Sequence, residues 1–416
     1  MEIIKKVFQQ TSWQLLGKVF TSLSSIIVLG LVTRTYGSFG TGIFTLALAY
    51  LGFFYIMADF GLNTHVLPTL LGPNLSINFR KLFGLRLFLT LILVILAIII
   101  ILLWPNSQGL FKTAVLIGIP AIIGSAILTT VVAIFQAKLR YDLSFFSTLA
   151  AALASLLTTW VVVSWSLQTP ALLSNQVLGF FAAGVLGLIL ISKFTPIWPI
   201  VDFSYIKTTL LTAWPISATL ILNLVYFRAD AFILSAFKSF AEVGIYNVAY
   251  QIFQSLLVVP GFIMNSFYPL ILKDFNEDRP EFISNLTKAI LIMFAIAFVG
   301  TILTLLFSGG AIDLITGQQG FSGSAKALQM LSLSFPAFFV TSVLMLVLII
   351  FRKYKTMLLI YLGGLIFNIL ANLIFIPAYS YIGAALVTVF SEYLILVAQL
   401  IIIIPLLRPK DAKANH

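Results

Sequence analysis

Apolar runs of bilayer-spanning length recur along the whole of this 416-residue sequence, and they dictate its solvent. A membrane-spanning helix needs about 20 apolar residues. Twelve stretches qualify: 12–33, 43–67, 82–104, 113–135, 144–166, 171–192, 208–228, 244–271, 284–307, 325–350, 357–378 and 382–406. Each is continuously apolar rather than alternating, which excludes barrel strands. Only 9% of the residues are charged and 61% are hydrophobic, against roughly 25% charged in soluble domains. A soluble fold of this length could not bury so much apolar surface, so the expected class is an all-α integral membrane protein.

The second constraint is an internal duplication. Thr11-Ser12-Trp13-Gln14 is echoed by Thr212-Ala213-Trp214-Pro215, and Ser38-Phe39-Gly40-Thr41-Gly42-Ile43-Phe44 by Ser239-Phe240-Ala241-Glu242-Val243-Gly244-Ile245-Tyr246, with one residue inserted. Arg86 falls opposite Lys288. Repeats of this kind mark transporters built from two halves. The expected division is a six-helix bundle at 1–197, a second at 198–407 and a cytoplasmic, solvated tail at 408–416. Pro196 and Pro199 sit in the join. Six spans per half is an even number, so both halves start on the same side, and their pseudo-twofold axis is expected along the membrane normal.

With the N-terminus placed inside, 18 of the 24 basic residues fall in or beside cytoplasmic segments. The positive-inside rule then puts both termini in the cytoplasm. The first apolar stretch reads as a retained span, because no convincing cleavage site follows the basic Met1–Gln10 segment. The net charge of +11 does not indicate nucleic acid, since the basic residues are scattered singly between apolar blocks. Cysteine is absent and histidine occurs only at His65 and His416. The sequence therefore carries no thiolate or His-cluster metal site and no credible Ser/His/Asp arrangement. There is no phosphate-binding glycine loop, and no cofactor is expected.

Charges inside spans are the best functional pointers, because each costs about 2.5–3.5 kcal/mol at a helix centre on insertion scales. Lys18, Arg34, Arg86, Arg228 and Lys288 are the candidate cations for an anionic substrate. Asp59, His65, Asp230 and Glu392 are the candidates for ion coupling or charge balance. Asn63, Asn223, Asn247 and Gln251 would line a polar lumen. Pro120, Pro215, Pro260, Gly261 and Pro336 interrupt spans and are candidate hinges. Bland readings compete with each: Lys18, Arg86 and Lys288 could snorkel to the headgroups, Arg34 could be an interfacial anchor, Arg228 and Asp230 could each pair with a neighbouring span or the headgroup zone, His65 could be a packing residue, Asp59 and Glu392 members of buried structural pairs, the amides interhelical glue, and the prolines static kinks.

Arg228-Ala229-Asp230, Glu242-Val243-Gly244-Ile245-Tyr246-Asn247-Val248-Ala249-Tyr250, Val259-Pro260-Gly261 and Tyr268-Pro269 resemble the Wzx-type polysaccharide flippases. So do Lys18, Ala58-Asp59-Phe60-Gly61-Leu62 and Phe135-Gln136-Ala137-Lys138-Leu139-Arg140. The resemblance covers essentially the whole chain. It implies the fold of the multidrug/oligosaccharidyl-lipid/polysaccharide (MOP) exporters, similar to the multidrug (MATE) transporters, with a cavity that opens alternately to each side. It also implies a bacterial inner-membrane protein that moves undecaprenyl-pyrophosphate-linked oligosaccharide for O-antigen (lipopolysaccharide), capsule or exopolysaccharide synthesis. Membrane lipids, a polysaccharide polymerase and a chain-length regulator are its expected partners. A MATE-like multidrug exporter is the alternative, disfavoured by the excess of basic over acidic lumen candidates. A membrane glycan polymerase or ligase is a further alternative, disfavoured by the short outer loops.

Overall fold

The computed structural model describes residues 2–104, 109–317 and 320–407, and among these the regular structure is entirely helical. The predicted tail at 408–416 lies outside the described residues. The elements are α1 (Glu2–Asp59), α2 (Leu62–Leu70), α3 (Leu75–Leu103), α4 (Gly109–Gly118), α5 (Pro120–Ala137), α6 (Tyr141–Ser164), a 3₁₀ turn (Thr169–Leu173), α7 (Ser174–Ile191), α8 (Phe203–Phe237), α9 (Phe240–Leu256), α10 (Val258–Glu277), α11 (Arg279–Thr316), α12 (Ser322–Ser332), α13 (Phe335–Ile350) and α14 (Tyr354–Leu407).

Nine of these segments are long and apolar enough to cross a membrane, and the pair α12–α13, bent by 43°, makes a tenth among the described residues. Two of the nine are double. α1 turns a corner at Gly37 (φ 61°, ψ −167°) and α14 at Ser380 (φ 54°, ψ −137°). With both corners counted, the spans match the twelve predicted apolar runs. Gly37 suits a left-handed corner because it has no Cβ. Ser380 is a non-glycine residue at such a corner and is held there by its hydroxyl, which donates to the Glu242 carboxylate. The duplicated Ser-Phe pairs stand at equivalent breaks: Ser38-Phe39 follows the α1 corner, and Ser239-Phe240 separates α8 from α9.

Of the four prolines expected to interrupt spans, three mark helix starts. Pro120 and Pro336 occupy the first turns of α5 and α13, and Pro260 the first turn of α10. A first-turn N–H has no intrahelical acceptor, so proline loses nothing there. Pro215 alone of these four lies within a helix, α8.

Two compact units are formed: Met1–Arg228 with Ile315–Gln319, and Ala229–Leu314 with Gly320–His416. In the first, Leu62, Phe79, Leu82, Ile134 and Phe135 build a buried core. There α5 and α7 approach so closely that a Cβ on Gly187 would press on Val131. Small residues at such contacts permit the close packing that holds helices together in lipid. The segment after α7 is strapped onto α3: Ile200 N–H donates to Arg80 O (2.9 Å), Arg80 Nε to Trp198 O (2.9 Å), and Lys81 pairs with Asp202 at 2.8 Å. A Cβ on Gly84 would collide with the Ile200 carbonyl, so glycine is what admits the strap.

Candidate functional site

The chain leaves α1 at Asp59 and passes through two consecutive left-handed residues, Phe60 (φ 51°) and Gly61 (φ 65°), into α2. This corner brings Asp59 and Asn63 onto one guanidinium. Arg86 of α3 is fully buried and its Nη2 donates to Asp59 Oδ1 (2.8 Å) and Asn63 Oδ1 (2.8 Å). Its Nη1 donates to Thr130 Oγ1 of α5 (3.2 Å), while Nε is buried with no hydrogen-bond partner. Asn63 is oriented by its own amide, which donates to Thr129 O (3.1 Å). Asp59 keeps 27% of its side chain exposed. A buried ion pair of this kind adds little net stability over an apolar replacement, but breaking it by removing one partner costs about 3–5 kcal/mol.

Three residues predicted for different roles are thus one cluster. Asp59 neutralises Arg86, so Arg86 does not snorkel to a headgroup. His65, two residues beyond Asn63 on α2, has Nε2 3.0 Å from Thr212 Oγ1 of α8. Lys18 is exposed on α1 and has no acidic partner among the described residues. It stands in register with Gln14, Thr21 and Ser25, at i−4, i+3 and i+7, so the four share one helix face. Arg34 donates from Nε to Ile315 O (3.2 Å), capping the C-terminal turn of α11. A cation suits that end of a helix dipole.

The second unit holds the remaining acids. Asp230 is buried and accepts from the Tyr246 hydroxyl and from Ala231 N–H (2.7 Å). Glu392 is buried in α14, beyond the Ser380 corner. Asn247 is buried in α9 and Gln251 half-buried. Lys288, the repeat partner of Arg86, is exposed and donates to Asn285 Oδ1 (3.3 Å), so the duplicated position has diverged in environment. In the first unit, Arg228 is half-buried on α8 and Asn223 is exposed.

Sequence reasoning missed Thr130, because a lone hydroxyl in an apolar span usually bonds back to its own helix. It also missed the role of Glu242. That residue forms a reciprocal capping box with Ser239 and reaches Ser380 as well. The Ser-x-x-Glu spacing was the available signal. Outside the spans, Lys81 holds the Asp202 carboxyl below its usual range through a direct hydrogen bond. At the turn between α5 and α6, Arg140 donates to the Asp142 carboxylate, which holds its guanidinium above the usual range. No group of three or more metal-ligating side chains occurs among the described residues.

The fold is shared with solved membrane transporters. The lipid II flippase MurJ, in an inward closed conformation, superposes with a TM-score of 0.74 at 15% identity, over 94% of this chain and 87% of that one. An inward-facing multidrug resistance MATE family transporter of the MOP superfamily gives 0.75 at 14%, over 94% and 96%. A MOP superfamily transporter from Pyrococcus furiosus, described as having a binding pocket of reverse polarity, gives 0.64 at 10%, over 97% and 95%. The architecture is therefore that of the MOP-superfamily membrane transporters. Residues 7–275 match the polysaccharide biosynthesis protein family, and the chain belongs to that family. Among curated proteins no sequence match is found.

Proposed function

We propose that this protein is a flippase for oligosaccharide linked to undecaprenyl pyrophosphate, carrying it from the cytoplasmic to the outer leaflet of a bacterial inner membrane by alternating access. One observation carries the reading: Lys18 is an exposed cation without an acidic partner among the described residues, on a polar stripe of a helix that is otherwise suited to lipid. Moving a bare phosphate through hydrocarbon would cost on the order of tens of kcal/mol. A cation followed by hydroxyl and amide groups is the chemistry that lowers that barrier. Membership in the polysaccharide biosynthesis family supports this substrate class, as does the fold shared with a lipid II flippase.

Arg34, Arg228 and Lys288 supply further positive potential along the path. Asp59 is the coupling acid, with Asp230, Glu392 and His65 balancing charge elsewhere. A proton on Asp59 removes the counter-charge of Arg86, and a fully buried unpaired guanidinium favours a rearranged helix corner. The breaks at Pro120, Pro260-Gly261 and Pro336, with Pro215 inside α8, are the flexible points. The membrane potential supplies about 2.3 kcal/mol per charge per 100 mV, so an anion leaving a negative interior moves downhill. Two bundles divided near 197/198 and cytoplasmic termini complete the reading, with O-antigen, capsule or exopolysaccharide assembly as the pathway. A polymerase and a chain-length regulator are the partners.

The test is translocation in proteoliposomes of a fluorescent polyprenyl-pyrophosphate oligosaccharide, scored by accessibility to an added glycosidase. Translocation by the native protein and its loss in Lys18→Gln are expected. Export of a cationic dye with no movement of the lipid-linked sugar would instead establish the multidrug alternative.

A further inference from the structure

Beside the Lys18 stripe, within the first unit, lies an open pocket of about 200 Å³ lined by α1, α6 and α7. Thr21, Ser25, Ser155, Asn175, Gln176 and Phe180 line it, with no charged side chain among its lining residues. The volume is below the roughly 300–1,000 Å³ of pockets that take a whole drug-sized ligand. It suits one ring of a larger molecule.

The polarity of the lining is specific. Thr21 Oγ1 donates to Gly17 O (2.9 Å) and Lys18 O (3.0 Å), and Ser25 Oγ to Thr21 O (2.9 Å). Both hydroxyl protons are engaged by the helix, so these oxygens present lone pairs to the pocket. Asn175 is fully buried, and its Nδ2 donates to Thr159 Oγ1 (3.0 Å). Its Oδ1 is an acceptor with no hydrogen-bond partner. Buried acceptors of this kind are rarely left unsatisfied. These acceptors, together with the Gln176 amide, which both donates and accepts, match a ligand whose hydroxyl groups do both. Phe180 adds an apolar ring, fixed edge-on against Tyr55 at 5.1 Å, for the C–H face of such a ligand. Lys18 lies one helical turn from Thr21, about 4.5 Å along the axis at roughly 1.5 Å per residue. An anion held by Lys18 therefore adjoins the pocket.

We propose that this pocket is the subsite for one neutral, hydroxyl-bearing sugar residue, the one attached directly to the pyrophosphate, with Lys18 holding the pyrophosphate beside it. The inference rests on the flippase reading above and adds where the first sugar is recognised. It assigns Asn175, Ser25 and Gln176 to sugar hydroxyls and leaves the rest of the oligosaccharide outside the pocket.

The experiment compares two probes on the full-length protein in nanodiscs: farnesyl pyrophosphate, and the same lipid bearing a single N-acetylglucosamine. The sugar-bearing probe is expected to bind about tenfold more tightly, the equivalent of roughly two neutral hydrogen bonds. Gln176→Leu should remove about threefold of that advantage and leave the bare lipid unchanged, and Ser25→Ala should also remove about threefold of it. Lys18→Gln should weaken both probes alike. The chain has no cysteine, so a single Ser25→Cys variant also reports occupancy. Its labelling by a water-soluble maleimide should be slowed at least fivefold more by the sugar-bearing probe than by the bare one. Equal affinity for the two probes, with both still dependent on Lys18, overturns the sugar subsite and leaves the flippase reading standing. Failure of the native protein to bind either probe overturns both.

Discussion

Removing the charge of Asp59 is expected to cost far more than its partial exposure suggests, because the penalty falls on its partner. In Asp59→Asn the guanidinium of Arg86 stays fully buried and keeps only neutral acceptors, the new amide oxygen, Asn63 Oδ1 and Thr130 Oγ1. Stranding a buried charge costs about 3–5 kcal/mol. The surviving neutral hydrogen bonds place Asp59→Asn near the lower end, about 3 kcal/mol. Arg86→Leu leaves a carboxylate that already reaches solvent with 27% of its side chain, so its loss should be smaller, about 1–2 kcal/mol. The double variant Asp59→Leu/Arg86→Leu removes both charges and should recover most of the native stability. Reversible unfolding in mixed micelles with increasing sodium dodecyl sulfate, run as a double-mutant cycle, measures all three. If the two single losses add in the double variant, the residues are energetically independent and the cluster is not the unit described here.

Gly84→Ala should destabilise the protein by about 1–3 kcal/mol, since the added methyl has to displace the Ile200 backbone; an unchanged melting temperature would mean that the strap does not lie on α3. The Asp202 carboxyl is depressed by Lys81, so its contribution is present above the unfolded carboxylate value and is lost as pH falls through the folded one. Amide exchange at Ile200 should accordingly be faster in Asp202→Asn than in the native chain at about pH 6, with the difference shrinking as the pH falls below the ordinary carboxylate range. A difference that does not shrink would show that the ion pair does not protect the strap.

The spans were legible because helix formation in lipid depends on local composition: every backbone group is satisfied inside its own segment. The breaks were less so. Runs 43–67, 113–135, 244–271 and 325–350 each read as a single helix, yet the chain interrupts them at Phe60-Gly61, Ile119, Leu257 and Leu333-Ser334. Proline flagged three of these sites as interruptions, and the chain bends by 43° between α12 and α13 at Pro336, but it did not show that a new helix starts at each one. The corner at Ser380 had no local signal, because Glu242, far away in sequence, stabilises it. The same distinction separates Lys18 from Arg86. Both read as intramembrane cations, and only the corner at Phe60-Gly61, which turns Asp59 and Asn63 toward α3, shows that Arg86 is neutralised, whereas Lys18 has no acidic partner among the described residues. Arg34 looked like an interfacial anchor or a lumen cation and proves to cap a helix from the far end of the sequence, a contact that no spacing within one half could reveal.

The most direct measurement is the rate at which a glycosidase-accessible polyprenyl-pyrophosphate oligosaccharide appears on the far side of proteoliposomes containing native protein, Lys18→Gln or Lys18→Arg. The account predicts rapid appearance with the native chain, at least a tenfold loss with glutamine, and substantial retention with arginine, which keeps the charge. Equal rates for the native and Lys18→Gln proteins would contradict it.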